Sequence, residues 1–340
     1  MSQIVCFGEI MMRLNPAGYL KFVQADTFEA SYAGGEANVA VSLSNFGHDA
    51  AYVTKLPEND LGQCAINELR RYGVNTGRIV RGGPRLGIYF VEKGASQRGS
   101  KVVYDRAGSS IATAQRADFN WDEILSDAGW FHFTGITPAL GGCLSDILMD
   151  ALSVCKARGI PVSCDLNYRA KLWSRQRAGE VMAGLMPYVN LCIANEEDAK
   201  DVFGIAAENS DVEGGKLDGA GYVSVARQLS ERFGFDRVAI TLRGSISASE
   251  NNWAGMLYEG GKAYFSRNYL IHIVDRVGGG DSFGGALIHA LIRGFEPQMA
   301  IEFAVAASCL KQTIEHDFNL VSESDVLSLA GGNASGRVQR

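Results

Sequence analysis

Residues 275–286 of the chain read DRVGGGDSFGGA, which places three consecutive glycines before an aspartate and the start of an apolar helical pattern. Gly278, Gly279 and Gly280 predict a turn without side chains, in which backbone N–H groups can converge. The helix that follows adds the positive end of its dipole. Both features suit an anion such as a phosphoryl group in transfer, although the spacing matches neither a Walker A sequence nor a Rossmann fingerprint.

Asp281 follows this turn directly, and two interpretations of it remain open. Its carboxylate can accept a proton from a hydroxyl group that attacks phosphorus, as a general base does. Equally, aspartate is a preferred helix-capping residue, and the glycines can serve the turn alone. In the first interpretation, we expect the helix N-terminus and the N–H groups of the turn to keep the carboxylate ionised.

A second glycine pair, Gly34 and Gly35, lies near the N-terminus, directly before a helical pattern. Paired glycines let a ligand approach the backbone closely, and Asn38 offers both a donor and an acceptor to hydroxyl groups. Alone, this cluster is a weak signal. Together with residues 275–286, it favours the functional interpretation of the glycine turn.

Along the chain, short β-rich runs alternate with amphipathic helical patterns. The strand patterns lie at Ile4–Phe7, Ala51–Thr54, Trp130–Thr134, Ile160–Cys164, Val189–Ala194 and Val238–Leu242. The helical patterns lie at Leu61–Tyr72, Leu144–Arg158, Arg175–Leu185, Ala220–Phe233, Ser282–Arg293 and Met299–Ile314. This alternation predicts an α/β fold with a mostly parallel central sheet and helices on both faces, whose ligands bind beyond the carboxyl ends of the strands. We expect one domain, 1–340.

One region breaks the alternation. Gly87–Glu92 and Lys101–Arg106 are strand-like, and the polar link between them contains glycine and serine, which predicts a hairpin. The stretch Asp26–Tyr32 also alternates. Together they predict a small β-sheet beside the main one, with strands within about 12–34 and 85–108. A lid over a ligand is the functional interpretation; an edge hairpin without a role is the alternative.

The substrate end of the site is predicted from residues on and near this hairpin. Residues two apart on a strand face the same way, so Tyr104 and Arg106 share a face, and Tyr89 joins them if the register allows. Arg169 follows the strand that ends near Asp165, at the edge where ligands bind. Two converging arginines favour an acid over a neutral sugar. The alternative for each arginine is a solvated or ion-paired surface residue.

Composition limits the partners. The net charge is −6 and no run of lysine and arginine occurs, which argues against a nucleic acid or a membrane surface. No stretch approaches the ~18 apolar residues that span a bilayer, and residues 1–8 read as a strand rather than a signal peptide. We therefore expect a cytoplasmic protein with neither a nucleic-acid nor a membrane partner.

The two glycine segments together resemble those of the ribokinase-like (PfkB) carbohydrate kinases. That family has a Gly-Gly-x-x-x-Asn element near the N-terminus and an Asp-x-x-Gly-x-Gly-Asp element near the C-terminus, and both occur here in that order. The resemblance covers nearly the whole chain. Within the family the sequence is most similar to 2-keto-3-deoxygluconate kinases, through the stretches 87–90, 103–108, 165–169 and 195–198.

This resemblance implies a ribokinase-like fold with a β lid, and MgATP as the phosphoryl donor. It implies that Asp281 is the base and that the phosphate goes onto the terminal hydroxyl of the sugar acid, C6 for a six-carbon acid. With it, the interpretation of Gly34, Gly35, Asn38 and the arginines above as substrate-binding residues is favoured over the alternatives. Tyr89 and Tyr104 are expected to bind the substrate as well, and the alternative that they are ordinary strand aromatics stays open. It also implies a homo-oligomer.

The nucleotide side is expected at Asn195, Thr241, Arg243 and Gly244, together with Gly278 and Gly280 of the turn. Asn195 and Asp198 are the candidates for Mg²⁺, by similarity to the family's Asn-x-x-Glu element, although here an aspartate stands in place of the glutamate. Arg243 stands where many members have glycine, and it either reaches the ATP phosphates or folds away to solvent.

Several alternatives stay open. A kinase of another keto-deoxy sugar acid, or of a ketose such as fructose, fits the same motifs. A dinucleotide-dependent oxidoreductase needs a glycine-rich turn after the first strand, where the sequence reads Gly8-Glu9-Ile10-Met11 instead. A non-catalytic sugar sensor on the same scaffold would not need Asp281 and the glycine turn.

Overall fold

The computed structural model describes residues 2–206 and 219–333, so the expected domain, 1–340, includes residues outside this description. The strands in these ranges are β1 (Gln3–Phe7), β2 (Met11–Asn15), β3 (Glu29–Ala33), β4 (Ala50–Val53), β5 (Lys55–Leu56), β6 (Val80–Arg81), β7 (Gly87–Glu92), β8 (Lys101–Asp105), β9 (Ala128–Thr134), β10 (Val162–Asp165), β11 (Leu191–Asn195), β12 (Arg237–Ser245), β13 (Glu250–Glu259), β14 (Lys262–Phe265) and β15 (Tyr269–His272). The helices are α1 (Gly35–Asn45), α2 (Asp60–Arg71), α3 (Trp121–Ile124), α4 (Ile136–Ala139), α5 (Leu144–Arg158), α6 (Arg175–Leu185), α7 (Glu196–Phe203), α8 (Gly219–Phe233), α9 (Gly279–Ile292), α10 (Pro297–Lys311) and α11 (Glu323–Ala330).

The main sheet contains nine of these strands, in the order β14-β13-β12-β11-β10-β9-β1-β4, with β15 paired to β13. From β12 to β4 the neighbours are parallel. The remaining strands, β13 to β15, add an antiparallel edge. The prediction of a mostly parallel central sheet is therefore confirmed.

Helices cover both faces of this sheet, as the alternation predicted. Successive side chains of a strand point to opposite faces, and β1 shows this clearly. Ile4 and Cys6 contribute to the core cluster that includes residues of α1, α9 and α10, whereas Val5 and Phe7 contribute to the cluster that includes residues of α5, α6 and α8. No helix within residues 2–206 or 219–333 is both long and apolar enough to cross a membrane.

A separate sheet of four strands, in the order β3-β2-β7-β8, lies in the region where the small sheet was predicted. The strands β7 and β8 form the predicted hairpin, and β2 begins at Met11, one residue before the expected boundary. Arg13 and Leu14 of β2 pair with Tyr89 and Phe90 of β7. The N-terminal segment and the hairpin therefore form one small sheet.

Several boundaries differ from the sequence prediction by a few residues, and two of these differences have a clear physical reason. The helix expected from Ser282 begins at Gly279, because two of the three glycines belong to its first turn. The strand expected to end at Leu242 continues to Ser245, because β13 pairs with it along its whole length. The antiparallel strands β13 to β15 were not predicted.

The carboxyl ends of the parallel strands lie side by side and position the site. Thr134 at the end of β9 pairs with Asp165 at the end of β10, and Asn195 at the end of β11 pairs with Thr241 of β12. This is the edge at which ligands of such sheets bind.

Candidate active site

The glycine turn lies at the N-terminus of α9, and its conformation requires glycine. Gly278 has φ of +81°, and a Cβ there would lie 2.0 Å from the carbonyl oxygen of Asp317. Within the described ranges, the N–H groups of Gly278, Gly280 and Asp281 have no hydrogen-bond partner. Three unsatisfied donors at the start of a helix make this turn suitable for an anion.

Asp281 lies beside the N-terminal glycine pair. Its Oδ2 accepts a hydrogen bond of 2.6 Å from Asn38 Nδ2, and a Cβ at Gly35 would lie 3.6 Å from its Oδ1. Gly34 fits only without a side chain, since a Cβ there would lie 1.9 Å from the carbonyl oxygen of Glu9. The structure thus brings together the two motifs that the sequence places far apart.

The chemistry around Asp281 differs from the capping interpretation. The N-cap position of α9 is Gly278, and among the described residues no backbone N–H donates to the Asp281 carboxylate. The expectation that the helix N-terminus keeps this carboxylate ionised is wrong, because its pKa is raised rather than lowered. Burial, together with the charges of Asp317 and Glu36, raises the pKa of Asp281 to about 7 despite the hydrogen bond from Asn38. A pKa near neutrality is well suited to a general base.

Two further carboxylates face this part of the sheet edge. Burial, with the charges of Asp198 and Asp281, raises the pKa of Asp165 well above its usual range. Burial likewise raises the pKa of Asp198 to about 6, while Arg169 opposes the rise in both. The edge is therefore acidic, with Arg169 as a nearby cation. Asp165 was not among the predicted site residues, although it directly follows the strand predicted at Ile160–Cys164.

Asn195 and Asp198, the candidates for Mg²⁺, form the N-terminal cap of α7. Asn195 Oδ1 accepts the N–H groups of Glu197 and Asp198 at 2.8 Å, and Asp198 accepts the N–H of Tyr168 at 3.0 Å. Among the residues that the structure describes, no group of three or more acidic, histidine or cysteine side chains could hold a metal ion. Magnesium usually keeps several waters and binds one or two carboxylates together with phosphates. The neighbouring carboxylates of Asp165 and Asp198 fit a hydrated ion of that kind.

A cavity of about 850 Å³ opens between the hairpin strand β8 and the segment that follows β10. Three of the predicted substrate residues, Tyr104, Arg106 and Arg169, line it. The guanidinium carbon of Arg106 lies 5.4 Å from the centre of the Tyr104 ring. The expected convergence of the two arginines on one space is therefore observed.

The guanidinium of Arg106 is held in place by the carboxylate of Glu9. Its Nε donates to Glu9 Oε2 at 2.7 Å and its Nη2 also donates to that oxygen, while Ser109 Oγ donates to Glu9 Oε1 at 2.5 Å. Nη1 has no hydrogen-bond partner in the described part of the chain, so it remains available to a ligand. Glu9 was not among the predicted residues. The available signal was an acidic residue close to the end of the first strand.

Tyr89 lies opposite Tyr104 in the β7–β8 ladder, and the two rings stack with centroids 6.0 Å apart. The register thus places both on one face, but Tyr89 is buried and does not line the cavity. Its hydroxyl donates to Asp317 Oδ2 at 2.8 Å. Tyr89 therefore packs against Tyr104 from the protein interior and does not face the cavity.

The expected nucleotide residues lie along β12. Thr241 is adjacent to Asn195, and Gly244 pairs with Asn252 on β13. The exposed side chain of Arg243 lies over the Trp253 ring, with 5.5 Å between guanidinium carbon and ring centre. Arg243 thus packs against the antiparallel extension of the sheet.

Arg13 of β2 joins the small sheet to the region around the glycine turn, and sequence reasoning missed it. Its fully buried guanidinium donates to the carboxylates of Asp275 and Asp317 at 2.5 Å each. Burial acts to lower the pKa of Arg13, but the charges of Asp317 and Asp275 outweigh it, so that this pKa is raised. An arginine inside the otherwise apolar start of β2 was the available signal.

Comparison with known proteins agrees with this geometry. The profile of the family described as "pfkB family carbohydrate kinase" matches residues 1–315. A solved structure of 2-dehydro-3-deoxygluconokinase from Thermotoga maritima is 52% identical, covers 97% of this chain and 98% of its own, and superposes with a TM-score of 0.94. The 2-dehydro-3-deoxygalactonokinase of Haloferax volcanii is 34% identical over 98% of both chains.

A more distant structure shares the fold. It is a sugar kinase from Pyrococcus horikoshii in complex with ATP, 21% identical, covering 96% of this chain and 97% of its own, with a TM-score of 0.75.

Proposed function

The chain belongs to the PfkB family of carbohydrate kinases, and from that premise we propose that it transfers the γ-phosphoryl group of ATP to the terminal hydroxyl of 2-keto-3-deoxygluconate, giving the 6-phosphate. One observation carries the choice of an acid: Arg106 and Arg169 line the same cavity. The Thermotoga maritima relative, named for this substrate, supports it. The ATP complex of the Pyrococcus horikoshii kinase supports ATP as donor.

At the substrate end, the carboxylate of the sugar acid would meet Arg106 Nη1 and the guanidinium of Arg169. Glu9 holds the other donors of Arg106 and so fixes the direction of the free one. Charge-assisted bonds from arginine are directional and about twice as strong as neutral ones. The Tyr104 ring, stacked on Tyr89, would cover the sugar carbons.

At the other end, the terminal hydroxyl of the substrate would approach Asp281. The bond between this oxygen and the γ-phosphorus forms, the bond from that phosphorus to the ADP oxygen breaks, and the hydroxyl proton passes to the carboxylate. Asn38 holds Oδ2 of Asp281, which leaves Oδ1 free to accept the proton. The N–H groups of Gly278, Gly280 and Asp281 would bind the oxygens of the group in transfer, where negative charge is spread.

The nucleotide would lie across Thr241, Gly244 and the glycine turn, on the side away from the hairpin. Asn195 and Asp198 would hold Mg²⁺ through water, and the ion supplies charge neutralisation to the phosphates when bound. The raised pKa of Asp198 and of Asp165 supports a cation here, because a nearby positive charge would favour their ionised forms.

The β7–β8 hairpin would act as a lid over the cavity, since β8 forms one wall of it. A lid that excludes water prevents transfer of the phosphoryl group to water and strengthens the charge–charge contacts inside the site.

A panel of substrates tests the proposal. ADP release is measured with ATP and, in turn, 2-keto-3-deoxygluconate, 2-keto-3-deoxygalactonate and fructose, and NMR locates the phosphate on the product. The expected result is a higher kcat/KM for the acids than for fructose, with phosphate on C6. The Haloferax volcanii relative makes the galactonate epimer the second candidate. A clear preference for fructose would refute the acid-sugar assignment.

A further inference from the structure

Lys311, the last residue of α10, is fully buried. Its ammonium group donates to three backbone carbonyl oxygens: those of Asp275 at 3.1 Å, His316 at 2.5 Å and Val277. An ammonium has three N–H donors, so each of them is used and none remains for a ligand. Burial of a charge is costly unless the charged group is well hydrogen-bonded. A fully buried ammonium group at this position is therefore expected to have a function.

Two of these carbonyls, those of Asp275 and Val277, lie in the segment that directly precedes the glycine turn. The carbonyl of Val277 and the N–H of Gly278 form one trans peptide, in which the two groups point in opposite directions. Because the carbonyl faces the ammonium of Lys311, the N–H of Gly278 faces away from it. This N–H is one of the three unsatisfied donors of the turn within the described residues.

Other residues of α10 and its end hold the same turn. Ser308 Oγ donates to the carbonyl of Gly279 at 2.7 Å, and the carbonyl of Gln312 accepts the N–H of Asp275 at 3.2 Å. Of Ser308, Lys311 and Gln312, which all bind this segment, Lys311 is the one that carries a charge.

The charge of Lys311 also matters to the balance around the turn. Burial lowers the pKa of Lys311, the charges of Asp275 and Asp317 oppose this, and Arg13 adds to it. Arg13 and Lys311 together carry the two positive charges that match these two carboxylates. Without Lys311, an excess negative charge would lie beneath a site that must accept an anion.

We propose that Lys311 is a positioning residue of the phosphoryl-transfer site. It is a built-in cation, bound by carbonyl oxygens as a free ammonium or potassium ion would be. It fixes the glycine turn with its N–H groups directed at the group in transfer and balances the charge beneath them. This inference rests on the proposed kinase function, and Lys311 itself touches no substrate.

Replacement by alanine tests it, because Lys311→Ala removes the ammonium and leaves room for a small cation among carbonyl oxygens, which are ligands that suit potassium. In choline chloride the variant should lose about 10²-fold in kcat, by analogy with the loss of an oxyanion donor. Ammonium, methylammonium or potassium at constant ionic strength should restore activity, whereas the wild-type enzyme should not respond. Lys311→Met, which keeps the stem without the charge, should stay inactive in every cation.

A second measurement does not depend on the substrate. The melting temperature of Lys311→Ala should rise with ammonium or potassium at constant ionic strength, and that of the wild type should not. A wild-type enzyme that phosphorylates no sugar acid would refute the proposed function yet leave this readout intact. Lys311→Ala with wild-type kcat in choline chloride, or with a melting temperature indifferent to every cation, overturns the inference.

Lys55→Met is the matched control. Lys55 is also largely buried, with 13% of its side chain exposed, and it pairs with Asp118 rather than with the turn. Its replacement should change neither kcat nor the response to cations.

Discussion

Asn38 Nδ2 donates a hydrogen bond of 2.6 Å to Asp281 Oδ2, although 243 residues separate the two in sequence. The bond joins α1 to α9 at the point where both helices begin. It also lowers the pKa of Asp281, against the larger effect of burial. The same contact therefore orients the carboxylate and adjusts the pH at which it becomes a base.

The pH dependence of kcat/KM should reveal this bond. Since Asp281 has a pKa of about 7 and only its ionised form accepts a proton, kcat/KM should rise with pH and level off above about 7. Asn38→Ala removes the donor, which should raise the pKa and move the acid limb to higher pH. Asn45→Ala, on the same helix but bonded to the Asn319 carbonyl, is the control. An acid limb that stays in place in Asn38→Ala would contradict the assignment.

Asp281→Asn keeps the shape of the side chain but removes the proton acceptor. We expect kcat to fall by ~10²–10⁴-fold, with ATP binding nearly unchanged. A variant that retains more than about a tenth of kcat would mean that another group takes the proton.

The stability of the same variant should depend on pH. The pKa of Asp281 is about 7 when folded, above the ~3.9 of a free aspartate. The unfolded chain therefore releases this proton at lower pH than the folded chain does. As the pH rises from about 4 to about 7, the wild type loses stability. At pH 8 the melting temperature of Asp281→Asn should be no lower than that of the wild type. As the pH falls toward 4, the wild type should gain stability relative to the variant. Melting curves across this range provide the check; a variant much less stable at pH 8 would argue against the burial effect.

Arg106→Ala and Arg169→Ala should weaken binding of an acid substrate more than that of fructose. Loss of a hydrogen bond to a charged group costs ~1.5–3 kcal/mol, or about 10–150-fold in KM. Steady-state kinetics on both substrates measures the difference. Arg85→Ala serves as a control, because Arg85 pairs with Asp105 at the base of the hairpin and does not line the cavity. Equal weakening of both substrates would show that the arginines do not recognise the carboxylate.

The hairpin β7–β8 should become protected from hydrogen exchange when the site is filled. Closure of a lid buries its strands and slows the opening of their hydrogen bonds. Exchange is compared for the free protein, for each ligand alone and for substrate with a non-hydrolysable ATP analogue. Unchanged exchange in residues 87–105 under the last condition would count against a lid.

The sequence allowed the fold class, most strand and helix positions and the meeting of the two glycine motifs to be predicted. Strand and helix periods are local patterns, and the two glycine motifs resemble those of a family in which both occur together. Tyr104, Arg106 and Arg169 were also expected to meet, because strand alternation fixes the direction of the first two and the sheet edge fixes the third.

The partners of Arg13 and Lys311 could not be predicted in this way. Arg13 binds Asp275 and Asp317, and Lys311 binds three carbonyls, across contacts that no local period encodes. The inward direction of Tyr89 has the same origin, because Asp317 determines it from a distant loop. The ionisation of Asp281 was misjudged because burial, a property of the folded chain, outweighs the local helix terminus.

The buried contact between Arg13 and Asp317 has a consequence for the order in which the protein matures. Arg13 is synthesised 262 residues before Asp275 and 304 residues before Asp317. The guanidinium has neither carboxylate until Asp275 is made, and only one of the two until Asp317 follows, so β2 cannot be buried earlier with its charge fully matched. The small sheet and the glycine turn can therefore reach their final arrangement only after Asp317 has been made, so a nascent chain that stops short of Asp317 is not expected to consume ATP.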